Sequence, residues 1–79
     1  MNKVRLTQIE ALKDAVYEIQ EEIEALREEE QEAYDNLPDS LQETDAGRFS
    51  LDCLRDLESA NEGLDDVVTT LGNIIDNQP

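Results

Sequence analysis

The sequence predicts an all-α fold: an antiparallel, coiled-coil-like helical hairpin that pairs with a second copy into a four-helix bundle. Three observations predict it. Ile9, Leu12, Val16, Ile19, Ile23, Leu26, Glu30, Ala33 and Leu37 recur at alternating steps of three and four, the spacing of one stripe on a long helix. Beyond Pro38 a stretch of similar length repeats the pattern with Leu54, Leu57, Asn61, Leu64, Val68, Leu71 and Ile75. Beside that second stripe runs another row, Cys53, Ala60, Val67 and Ile74, and a face this wide is typical of bundles.

The first helix is expected over about residues 4–36. That span is rich in Glu, Leu, Ala, Gln and Ile, contains no Gly or Pro, and at 1.5 Å per residue is roughly 50 Å long. It must stop near Leu37, because Pro38 disfavours the α conformation in the residue before it. Residues 37–44 read as a compact turn, in which Leu37 and Leu41 fold back over the end of the core. The second helix is expected over about 45–76, with Thr44 or Asp45 as its N-cap and residues 77–79 as a loose tail. Leu51 extends its apolar face toward the turn, while Gly63 and Gly72 each weaken it by about 1 kcal/mol relative to Ala. A short connection makes the helices antiparallel neighbours in one domain, residues 1–79.

A chain of 79 residues is too short to bury much core, and such chains usually rely on disulfides, a metal or association. One cysteine and no histidine remove an internal disulfide and the common zinc and haem ligand sets, which leaves association. No cofactor and no metal site is expected. The acids lack both the EF-hand spacing and the Glu-x-x-His motif of carboxylate di-metal bundles. Cys53 reads as a small buried hydrophobe, since no histidine is present to activate it. With no Gly-rich phosphate loop and little room for a cleft, an enzyme is not expected.

Two polar residues interrupt the stripes. Asn61 reads as a register device, a buried amide that rejects slipped pairings, with Asn61 of a second copy as one candidate partner. Glu30 reads as a half-exposed carboxylate near the turn, within reach of Arg48 or Arg55.

The charge is lopsided: 21 acids against 6 bases, net −15. Such a surface repels nucleic acid and anionic membranes and attracts basic surfaces, so neither direct nucleic-acid binding nor membrane binding is expected. No apolar run is long enough to span a bilayer, and the first residues lack the apolar core of a signal peptide, which predicts a cytoplasmic protein. Between Glu18 and Asp45 there are twelve acids and only Arg27 as a base, whereas Lys3, Arg5 and Lys13 make the first turns basic. A dimer carrying −30 over roughly 50 Å would match the spacing of B-DNA, about one charge per 1.7 Å. The candidate partner-binding residues are therefore Tyr17, Glu21, Glu22, Glu24, Glu28, Glu29, Glu32 and Asp35. Tyr17 is the outward aromatic best placed to anchor a partner; Tyr34 and Phe49 are expected to pack together at the tip.

The stretch from Glu29 to Gln42, EEQEAYDNLPDSLQ, followed by Gly47 and an acidic-apolar helix, resembles small acidic helical-hairpin proteins of bacteriophages and prophages. Those share an aromatic residue before Asn-Leu-Pro, a Leu-Gln pair and a glycine early in the second helix. Here Ala46 and Arg48 stand where the family usually has Arg and Glu. The resemblance implies a phage or prophage origin and a hairpin fold, and it brings no catalytic residues. By analogy with small acidic phage proteins it points to a non-enzymatic module that binds and inhibits a host protein, by imitating nucleic-acid charge at a basic site. The alternative is a structural protein whose task is dimerisation and assembly, through helix 2.

Overall fold

The computed structural model describes residues 1–78, which form three helices: α1 (Lys3–Asp35), α2 (Asp39–Gln42) and α3 (Asp45–Asp76). Among the described residues there is no strand. The fold is all-α and extended, with dimensions of 60 × 15 × 13 Å.

The helix ends follow from local chemistry. Asn2 caps α1, its side-chain oxygen accepting from the Arg5 amide at 2.9 Å. α1 ends where Pro38 forbids a further α residue at Leu37, and the Asn36 and Leu37 amides turn back onto the Glu32 and Tyr34 carbonyls. Thr44 rather than Asp45 caps α3, accepting from the Gly47 amide. At the far end the Gln78 amide folds back onto the Ile74 carbonyl, and Asn77 donates its backbone N–H to Asn73, so both are tied to the helix. Pro79 lies outside the described residues.

The connection differs from the expected turn. Residues 39–42 make one helical turn, started by Pro38, whose carbonyl accepts from the Leu41 and Gln42 amides. Leu37 is half-buried as expected, but Leu41 faces solvent. Its place is taken by Gln42, whose side-chain amide donates to the Tyr34 and Leu37 carbonyls at 3.2 and 3.1 Å. The Leu37 carbonyl finds its partner there, and the Tyr34 carbonyl, which also accepts from the Leu37 amide, gains a second donor. Gly47 is buried here because α2 lies directly over it: a Cβ at this position would sit 2.6 Å from the Gln42 carbonyl carbon.

α1 and α3 touch along their lengths, and the contacts run in opposite order along the two helices. Gln20 meets Asn61, Glu30 meets Ser50, and Lys13 reaches Gly72. On α3 the shielded stripe is the expected one, with Leu54 and Val68 buried and Leu57, Asn61, Leu64, Leu71 and Ile75 half-buried. On α1 it is shifted. Ile9, Val16 and Ile23 face inward with Leu6, Lys13, Gln20, Arg27, Glu30 and Tyr34, whereas Leu12, Ile19, Leu26 and Ala33 are exposed. At 100° per residue this is a rotation of about 50° from the expected stripe.

Amide pairing accounts for the rotation. Gln20 donates to the Asn61 carbonyl at 3.2 Å and to the Asp65 carboxylate at 2.7 Å, and Asn61 donates back to the Gln20 carbonyl at 3.3 Å. A part-buried amide without partners costs about 1–3 kcal/mol, so turning Gln20 toward Asn61 offsets the apolar area lost. The stems of Lys13 and Arg27 supply methylenes to the same contact. Within the chain, Asn61 is thus paired with Gln20 across the two long helices. The Asn61 Oδ1 remains buried without a partner.

Candidate functional site

Two surfaces hold most of the candidate residues. The first is apolar. α1 presents Leu12, Ile19 and Leu26, which are 57%, 46% and 55% exposed, and Ala33 continues the column. α3 presents Ala60 and Val67 as exposed and Cys53 and Ile74 as half-buried. Leu12, Ile19, Leu26, Val67 and Ile74 belong to the expected interface, yet all of them but Ile74 are exposed. A shallow depression of about 270 Å³ lined by Asp66, Val67, Thr70 and Leu71 adjoins this row.

The second surface is acidic. Glu21, Glu22, Glu28, Glu29, Glu32 and Asp35 are exposed along α1, as expected of a charge display. Gln31 donates to Asp35 at 2.9 Å. Glu24 departs from the set. It is half-buried and held by Arg27 through two hydrogen bonds, at 2.7 and 3.1 Å. The hydrogen bond from the Arg27 guanidinium holds the Glu24 carboxyl below the usual glutamate range, against the opposing effect of burial and with a lesser contribution from the Arg27 charge. Glu24 in turn raises Arg27, and Glu58 and Glu28 add to that rise. Glu24 therefore offers a partner less charge than its neighbours.

Two further bases are also spent locally. Arg48 pairs with Asp45 at 3.8 Å and Arg55 with Asp52 at 3.6 Å, each three residues away on the same helix. Neither reaches Glu30, which instead accepts from the Ser50 hydroxyl at 2.6 Å. Loosely held exposed pairs like these contribute little to stability.

The aromatics are arranged differently from expectation. Tyr17 is 46% exposed and available to a partner, but Phe49 is more so at 70%, while Tyr34 is half-buried against the tip. Phe49 thus stands out from Tyr34 instead of packing on it. Its position one residue short of the α3 stripe was the signal for this, since that offset turns a side chain outward.

Among the described residues no group of His, Cys, Asp or Glu is placed to hold a metal ion. No helix is long and apolar enough to cross a membrane. Comparison with protein-family models, curated proteins and solved structures finds no match.

Proposed function

We propose that the chain is an antiparallel helical hairpin that pairs with a second copy into a four-helix bundle, and that the bundle is a non-enzymatic acidic binding module. In this reading it comes from a phage or prophage, works in the bacterial cytoplasm, and inhibits a host protein by occupying a basic site. The opposite running order of the contacts between α1 and α3 supports the hairpin. The near absence of a core, only Leu54 and Val68 being buried hydrophobic residues among those described, supports the pairing.

The observation that carries the binding role is the state of the acids. Among the described residues only Glu24, Asp45 and Asp52 form ion pairs, all with an arginine three residues away. The others project a field that no internal base neutralises. A dimer with a net −30 along 60 Å carries about one charge per 2 Å, close to the ~1.7 Å of B-DNA. Tyr17 and Phe49 give such a surface aromatic anchors. A protein that normally grips a polyanion is the partner that this chemistry fits.

The test is capture from a bacterial lysate at low salt, with a Glu21→Lys, Glu28→Lys, Asp35→Lys variant alongside. The expected result is a specific protein held by the native chain, released by salt and not held by the variant, because charge-led association weakens steeply with ionic strength. Capture that is indifferent to salt and to charge reversal would overturn the inhibitory reading. Recovery of no specific protein would favour a dimerisation protein.

A further inference from the structure

We infer that the exposed apolar columns of α1 and α3 form one continuous face, and that a second copy covers this face with its tip at the opposite end of the rod. This rests on the hairpin and dimer reading above, and adds which face is used and which way the copies point.

The face follows from helix geometry. On α1 the inward stripe is centred between the Ile9–Val16–Ile23 and Lys13–Gln20–Arg27 columns. The Leu12–Ile19–Leu26 column lies about 80° to one side of that centre at 100° per residue. On α3 the stripe is centred between the Leu54–Asn61–Val68 and Leu57–Leu64–Leu71 columns. The Cys53–Ala60–Val67–Ile74 column lies about 70° away, in the same rotational sense. Two helices of opposite direction are related by a two-fold axis normal to the plane that holds them. Equal turns of the same sense therefore bring both columns out on the same side of that plane.

The occupant follows from area and charge. A compact monomer of 9.0 kDa exposes about 4,900 Å² by the usual scaling with mass, whereas this chain exposes 5944 Å², about 1,000 Å² more. From Ile74 and Arg5 at the open end to Cys53 near the tip the face runs about 35 Å, and two helices side by side are roughly 20 Å wide. That footprint, about 700 Å² per copy, approaches the ~800 Å² per partner of a standard stable interface. A strongly acidic chain accepts a second copy only where like charges are kept apart. The contacts Gln20–Asn61 and Glu30–Ser50 place each α3 residue beside the α1 residue numbered about 81 minus its own. With tips at the same end, α1 would lie over the α3 of the second copy, and Glu22 and Glu29 on its rim would flank Asp56. With tips opposed, α1 lies over α1 and α3 over α3. Glu29 then meets Arg5, which continues the Leu12 column and makes no ion pair among the described residues, and Cys53 lies over Ile74.

Sedimentation equilibrium and disulfide trapping test this in sequence. A monomer at micromolar concentration overturns the dimer itself, whatever the capture experiment gives. In a dimer, Ile74→Cys together with the native Cys53 should cross-link two copies under mild oxidation, because a disulfide needs Cα atoms about 4.4–6.8 Å apart. Within one chain these positions lie some 30 Å apart along α3, so no internal bond competes. The native protein should not cross-link. Efficient Cys53–Cys53 trapping, or trapping by Leu26→Cys instead of Ile74→Cys, overturns the opposed arrangement. As a second readout, Arg5→Glu should raise the dissociation constant about two- to fivefold, as expected of a rim ion pair, and Glu29→Arg in that background should restore it. Failure of restoration counts against the Arg5–Glu29 juxtaposition.

Discussion

Gly47→Ala and Gly63→Ala are the same chemical change on the same helix, and they should have opposite effects. A methyl at Gly63 meets nothing within 4 Å, so the variant gains helix propensity alone, about 0.8–1.0 kcal/mol. A methyl at Gly47 would lie 2.6 Å from the Gln42 carbonyl carbon and 2.8 Å from its Cα, both backbone atoms. Carbon atoms rest at about 3.5–4.0 Å, so α2 would have to retreat by nearly 1 Å. Such overpacking costs about 1–3 kcal/mol. The retreat also strains the two bonds from the Gln42 amide to Tyr34 and Leu37, each worth about 0.5–1.5 kcal/mol. Set against the same propensity gain, Gly47→Ala should be destabilised by about 1–3 kcal/mol. Thermal unfolding followed by helical circular dichroism, at one fixed protein concentration, reads the difference. About 4–8 °C per kcal/mol is expected for a chain of this size, with Gly63→Ala rising and Gly47→Ala falling. A Gly47→Ala midpoint equal to or above that of the native chain would refute the close approach of α2 to α3.

Three further outcomes are expected. Asn61→Leu should raise stability by about 1–2 kcal/mol, since it removes an orphaned oxygen and adds apolar contact, while amide spectra broaden or double as the register loosens; urea unfolding and NMR check the two halves. Leu54→Ala should cost about 2–4 kcal/mol by urea unfolding, whereas Leu41→Ala should stay within about 0.5 kcal/mol, because Leu54 is buried and Leu41 is half in solvent. In a carbon-detected NMR titration Glu24 should give up its proton at lower pH than an ordinary glutamate side chain, and Arg27→Ala should abolish the difference. A lowered pKa means that the folded chain binds this proton less readily than the unfolded one. The contribution of the pair is therefore present at neutral pH and is lost as pH falls through the carboxylate range.

The helices were legible because their boundaries rest on local chemistry. Pro38 stops α1 by sterics, Thr44 offers a hydroxyl to the first turn of α3, and both facts are visible in a line of text. The α3 stripe was legible too, since its inward positions are nearly all apolar. The rotation of α1 was not. Lys13, Gln20, Arg27 and Glu30 count as polar in any binary pattern, yet all four are half-buried, and the heads of Gln20, Arg27 and Glu30 find Asn61, Glu24 and Ser50. Such partners lie up to 41 residues away and leave no periodic trace. Gln42 escaped for the same reason: its role depends on where the turn places two carbonyls. Of the candidate site, exposure of most acids could be read from the sequence, but the neutralisation of Glu24 and the prominence of Phe49 needed three dimensions.

Each of the three ion pairs of the described residues stays within its own helix, one on α1 and two on α3, and none joins α1 to α3. Apolar stems and neutral or singly charged hydrogen bonds hold the long helices together, against the mutual repulsion of a −15 chain. Added electrolyte therefore has no bridging ion pair to dissolve, and it quiets the repulsion. The rod should stiffen with ionic strength, while its grip on any basic surface slackens. One dial thus separates the scaffold from its errand: a brine in which the protein is most durable is one in which it is least engaged.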